Sequence, residues 1–301
     1  MKRKQNSRYE KLSVVMLLLM LVLIGLLAVA CLLPPPVDAP QGDTRPVIQE
    51  PSQPTTQPTT QPTTQPTQPV TEPPTEPTTQ PTVPPTTQPP EKKLVVIDPG
   101  HQAKANYDKE PVGPGAAELK TKVASGTQGV ATGLEEYRLN LLVALKLQAI
   151  LEDRGYAVVM IRTSHDVDIS NAERAQIANE LQADVFIRIH ANGSEDQSVN
   201  GILTICQTDQ NPYNKALYPE SYLLSQLVLD EMVAATGAKR MYIWETDTMS
   251  GINWCQVPVT IVEMGFMSNP EEDRKMATDA YQDLLALGIA NGIDRYFEKI
   301  A

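Results

Sequence analysis

The apolar positions of the C-terminal two thirds of the chain fall into two alternating rhythms. Short continuous runs occur at Leu94–Ile97, Tyr156–Ile161, Asp184–Ile189, Gly201–Cys206 and Val257–Val262, with a weaker one at Met241–Trp244. Such runs read as strands. Between them, residues 136–153 carry Leu139, Val143, Leu147 and Ile150 at helical spacing, and Gly155 stops the pattern. Ser170 and Glu173 form a capping-box signature opening a helix to about Leu181. Further helices are expected near Ser221–Ala235, from the NPEEDRK segment, and from about Thr278 to Ile300. Strands apolar on both faces, alternating with helices, predict an α/β fold: a single mostly parallel sheet flanked by helices on both faces. The stretch Gln102–Thr132, rich in Gly and Lys, is expected to form a loop.

The first 91 residues follow neither rhythm. Lys2, Arg3, Lys4, Arg8 and Lys11 precede an uncharged run from Leu12 to Leu33. About 20 apolar residues suffice to span a bilayer, with the basic flank on the cytoplasmic side. Residues 1–33 are therefore expected to be an uncleaved membrane anchor, with everything after them outside. The alternative is a lipoprotein signal, since LAVAC ends at Cys31. Residues 34–91 contain most of the chain's 26 prolines, in a repeat of Pro, Thr and Gln. Such a segment cannot bury apolar area and is expected to be an extended, disordered linker. At ~3.1 Å per residue it would reach ~180 Å. The expected organisation is thus anchor 1–33, linker 34–91 and domain 92–301.

The formal charge of −11 lies on the linker and the domain, because the first segment is basic. An acidic domain without a basic block is not built for nucleic acid. Of the three cysteines only Cys206 and Cys255 belong to the domain. They lack metal-site spacing and read as small buried residues.

The candidate chemistry sits at strand ends. The first run stops at Asp98-Pro99-Gly100-His101, the one from Asp184 at His190, and the last at Glu263. In α/β sheets functional groups gather at the carboxyl ends of strands. Two neutral imidazoles and a carboxylate are the ligand set of a catalytic zinc site. A lone strand-end histidine is more often structural; two on one sheet edge put a Zn2+ site and a structural role on an equal footing. A third ligand is offered by Glu135 or Glu136; helical phase puts Glu136 on the inward stripe with Asn140, Val143 and Leu147 and turns Glu135 ~100° away, toward solvent, where an acid in a first turn is often only a helix-dipole partner. His165, in RTSHDVD, reads as a solvated loop residue. Glu263 reads either as a proton carrier, able to take a proton from water and pass it to a leaving nitrogen, or as a glutamate that supports a ligand or forms a salt bridge. No HExxH, GxSxG, Walker loop or GxGxxG occurs.

With these residues in place, VVIDPGHQ, GLEEYRLNL, FIRIHANG and VPVTIVEMGFMSNPEED, in that order, resemble the four motifs of the zinc-dependent N-acetylmuramoyl-L-alanine amidases of the Amidase_3 type. The resemblance runs from Leu94 to about Phe297. It implies metal ligands His101, Glu136 and His190, catalytic Glu263, and hydrolysis of the amide between N-acetylmuramic acid and L-alanine in peptidoglycan. Arg188 departs from the pattern, standing where relatives often carry a small residue. Two other readings remain: a silent peptidoglycan-binding or regulatory module on the same fold, and a zinc peptidase cutting within the stem peptide. No segment reads as a convincing autoinhibitory plug, and the sequence leaves any protein activator open.

Overall fold

The computed structural model describes residues 92–301. The anchor expected over 1–33 and the linker over 34–91 lie outside the described residues, among which no helix is long and apolar enough to cross a membrane.

Apolar runs in the sequence become the central strands of a six-stranded sheet. Its strands are β1 (Leu94–Pro99), β4 (Ala157–Met160), β5 (Val185–Asn192), β6 (Ile202–Cys206), β7 (Arg240–Glu245) and β8 (Val259–Phe266), in the order β4-β1-β5-β8-β6-β7. Neighbours are parallel except β6 and β8, which run antiparallel. The carboxyl ends of β1, β5 and β8 therefore share one edge, and the mostly parallel sheet expected from the alternation is present.

Both faces are covered. Helices α1 (Glu136–Asp153), α3 (Tyr218–Thr236) and α6 (Asp279–Ile300) pack over Val95, Ile97, Ile187, Ile189 and Val262. On the other face α2 (Asn171–Glu180) and the short α4 (Ser250–Asn253) meet Val96, Phe186, Leu203, Ile205 and Ile261. The alternation of side chains along each strand delivers residues to both layers. Leu139, Val143 and Leu147 are completely buried along one side of α1. Truncating a Leu at such a position costs ~2–5 kcal/mol. The capping box of α2 forms as expected: Glu173 N donates to Ser170 Oγ (3.2 Å) and Ser170 N to Glu173 Oε2 (2.7 Å). A last short helix, α5 (Pro270–Met276), follows β8 and is capped by Asn269.

Two expectations need correction. Strands β5 and β8 run on to Asn192 and Phe266 instead of stopping at Ile189 and Val262. Their backbones stay in the ladder past the apolar run, so His190 and Glu263 lie within strands. The register breaks only beyond them, between His190 and Asn192, where Gly265 adopts φ +151°. That conformation favours glycine. The stretch Gln102–Thr132 is not simply a loop. It contains an antiparallel hairpin, β2 (Asn106–Pro111) and β3 (Leu119–Val123). Its strands, NYDKEP and LKTKV, are mostly polar and present no apolar period; Glu110, Val112 and Val123 are its buried points.

Candidate metal centre

His101 is the second residue after β1 and adopts φ +60°, a left-handed conformation uncommon outside glycine. Its Nδ1 lies 2.8 Å from the Ala124 carbonyl oxygen. A carbonyl can only accept, so Nδ1 carries a proton, and Nε2 is the atom turned toward the site. Nε2 lies 3.2 Å from Glu136 Oε1.

Glu136 is the first residue of α1, which packs on β1 and β5 and so begins at the sheet's carboxyl edge. Its side chain is buried and fixed by donors on all sides. Oε2 accepts from Thr127 N (2.8 Å), and Oε1 from Ala191 N (3.1 Å) and Asn140 Nδ2 (3.2 Å). Burial pushes this carboxyl's pKa up, but hydrogen bonds and attraction from the two imidazoles hold it well below the usual range. Glu135 faces outward and pairs with Arg138 and the Tyr137 hydroxyl.

His190 projects from β5 with Nδ1 3.2 Å from the same Glu136 Oε1. The two imidazole rings stand edge to face, centroids 4.8 Å apart. His190 Nε2 is buried and has no hydrogen-bond partner among the described residues. Burial holds the ring neutral, its pKa pushed down to about 4. For His101 burial lowers the pKa, but the Glu136 carboxylate outweighs it and raises the value.

His101, Glu136 and His190 each offer one ligand atom, and these atoms lie within 4.8 Å of one another. Glu263 completes the arrangement. It is the parallel neighbour of His190 across β5 and β8. Its Oε2 is buried without a partner among the described residues, and burial, reinforced by the Glu136 charge, raises its pKa well above the ordinary value. His101, His190 and Glu263 line one cavity of about 250 Å³ together with Arg188. A larger hollow of about 690 Å³, between α5 and the end of α3, holds no cluster of metal-ligating side chains. Two imidazoles, one carboxylate and unpartnered buried atoms beside them fit a divalent ion of the zinc type.

Beneath the site lies a charge network that sequence reading missed. Fully buried Asp98 accepts from Arg174 Nη1 and, at 2.9 Å, from Arg188 Nε. Burial alone would raise the Asp98 pKa; the two guanidiniums hold it well below the usual range. Arg162, also buried, donates to the carbonyls of Pro99 (2.8 Å), Gly100 (3.0 Å) and Tyr137 (2.7 Å), tying the end of β1 to the first turn of α1. Position 98 at a strand end and the even spacing of Arg188 and His190 were visible signals; the partners were not.

His165 lies in a loop, as expected, but is half-buried instead of fully solvated. Its ring meets Tyr137 edge-on at 5.1 Å, its Nδ1 is buried, and it is not part of the ligand cluster. Cys206 and Cys255 are buried and form no disulfide among the described residues, each thiol pushed up to about 12 by burial. Neither is a nucleophile at neutral pH.

Residues 95–295 match the family model of Amidase_3, N-acetylmuramoyl-L-alanine amidase. Among curated proteins the chain is 29% identical over 211 residues to the protein YqiI of Bacillus subtilis, a match covering 70% of this chain and 88% of that protein. It is 26% identical over 226 residues to the germination-specific N-acetylmuramoyl-L-alanine amidase of the same organism, covering 69% and 81%. Among solved structures, the N-acetylmuramyl-L-alanine amidase Ami1 of Mycobacterium smegmatis superposes with a TM-score of 0.62 at 25% identity, covering 69% of this chain and 97% of that one.

Proposed function

The chain belongs to the Amidase_3 family, and from that premise we propose that it is a zinc-dependent amidase cleaving the bond between N-acetylmuramic acid and L-alanine in peptidoglycan. The observation that carries the reading is the convergence of His101, Glu136 and His190 within ligand distance, with Glu263 on the neighbouring strand. Those three residues would hold Zn2+. When bound, such an ion supplies Lewis acidity toward the scissile carbonyl and makes water a nucleophile at neutral pH.

The protein's own part is orientation and proton transfer. The Ala124 carbonyl fixes the His101 tautomer, and the Thr127 and Ala191 amides fix the Glu136 carboxylate. Side chains held this way need no reorganisation as the reaction proceeds. Glu263 accepts a proton from the attacking water and returns it to the leaving nitrogen of L-alanine. A buried carboxyl with raised proton affinity is suited to holding that proton between the two steps.

The domain is placed outside the cytoplasmic membrane, tethered through residues 1–33 and extended by the linker. Support for this comes from the basic flank, the apolar run after it and the proline repeat. Lipid modification of Cys31 would serve the same end.

The test is mass spectrometry of peptidoglycan after incubation with the purified chain, with and without a chelator. Stem peptides with a free L-alanine amino group, lost on chelation, are expected. Cuts within the stem peptide would make it a peptidase. Sedimentation with walls without products would make it a binding module.

A further inference from the structure

Arg188 is committed to the cavity beside the metal centre without being used by the chemistry above. It lies two residues before His190 on β5, on the same face of the sheet, and pairs across to Ile261 just as His190 pairs to Glu263. Its side chain is 3% exposed and contributes to the cavity wall. Nε donates to Asp98 Oδ2 (2.9 Å) and Nη2 to Asn171 Oδ1 (2.7 Å). Nη1 has no acceptor among the described residues. It occupies the space beside Gly251, where a Cβ would fall 1.5 Å from it.

The charges around it do not balance. Asp98 is one carboxylate shared between Arg174 and Arg188, both buried. A guanidinium stays charged at every working pH, so this trio keeps a net positive charge. The same wall carries His101, His190 and Glu263 of the metal centre, and its remaining polar groups, Thr121, Asn171 and Ser250, are neutral. A buried, charged donor with a free N–H in a cavity is an anion site in waiting, since leaving such a group unpaired is costly.

We infer that Arg188 Nη1 docks a carboxylate of the substrate's stem peptide and so sets a preference for acidic over amidated stems. The inference rests on the amidase reading. The Cα atoms of Arg188 and His190 lie about 7 Å apart along β5, and both residues line the same cavity. Two residues of extended peptide also span about 7 Å. The carboxylate we assign to Arg188 is the one on the second residue of the stem, beyond L-alanine. Asn171 and Asp98 hold the guanidinium so that Nη1 remains the free corner. Its flat, multi-donor geometry favours a carboxylate, for which lysine would be a poorer substitute.

The experiment compares two synthetic muramoyl dipeptides that differ only in an α-carboxylate or an α-carboxamide on the residue after L-alanine. Both are given to the zinc-loaded full chain and to R188K and R188M. The expected wild-type ratio of kcat/KM, acid over amide, is about tenfold to a hundredfold, the range of a charge-assisted hydrogen bond. The ratio should fall to near one in R188M and to an intermediate value in R188K, chiefly through KM. Because both rates come from one preparation, the ratio does not depend on the fraction folded. Equal rates on the two dipeptides in wild type, or a ratio unchanged in R188M, would overturn the inference. Should wild type cleave neither dipeptide nor whole peptidoglycan, it is the amidase reading that fails, and this inference with it.

Discussion

Gly100 lies against the ring of His190: a Cβ built on it would sit 2.2 Å from both Cε1 and Nε2 of the imidazole. Real side chains do not approach so closely, and the ring occupies the side-chain volume that any other residue would need. The glycine of DPGH is thus a steric condition for the second histidine, which comes from another strand.

Gly100→Ala should displace the imidazole from its partners at Glu136. Disturbing groups that orient metal ligands costs about 10–100-fold in affinity. The expected outcome is a fall of that size in zinc affinity by competitive chelator titration, with the far-ultraviolet spectrum retained. Wild-type affinity in the variant would show that the ring does not need its present place.

Replacing Glu263 by Gln keeps shape and removes proton transfer. Turnover on muropeptides should drop about a hundredfold to ten-thousandfold, with little change in KM. Single-turnover rates at saturating substrate check this directly, and a variant as fast as wild type would remove Glu263 from the chemistry.

Asp98→Asn leaves two buried guanidiniums without their carboxylate. Breaking a buried pair from one side costs ~3–5 kcal/mol. The pH dependence follows from the depressed pKa. An unfolded aspartate titrates near ~3.9, above the folded value, so the unfolded chain takes up the extra proton as pH falls. Asp98's contribution is whole above about pH 5 and is lost as pH drops through the unfolded value toward the folded one. Urea unfolding should show a constant gap between wild type and variant from pH 7 to about 5 and a narrowing gap below about 4. A gap that widens in acid would contradict the assignment.

Local signals in the sequence located the elements, and tertiary partners were beyond them. Residues 136–153 were legible as α1 because a buried stripe, an acidic start and Gly155 agree on its bounds. The same stripe separated Glu136 from Glu135 correctly, since three of four residues on it are apolar or amide and face the sheet. The ends of β5 and β8 were not legible, because a strand's backbone pairing continues where its apolar run stops. The hairpin at 106–123 was invisible for the opposite reason: its strands are polar and bury few side chains. Asp98 was noticed, but Arg174 and Arg188 lie 76 and 90 residues away in sequence, and only the fold brings them to it. The burial of His165 was not legible because its sequence neighbours are polar, while Tyr137, whose ring meets it edge-on, comes from another element.

The central claim is that one divalent ion sits between His101, Glu136 and His190 and that Glu263 is beside it without holding it. Metal analysis of the purified chain after zinc loading and desalting, run in parallel on H101A, E136A, H190A and E263Q, tests it most directly. The expected result is about one zinc per chain in wild type and in E263Q, and a loss of tightly held zinc in the other three. Zinc retained in H101A or H190A, or absent from the wild-type protein, would contradict it.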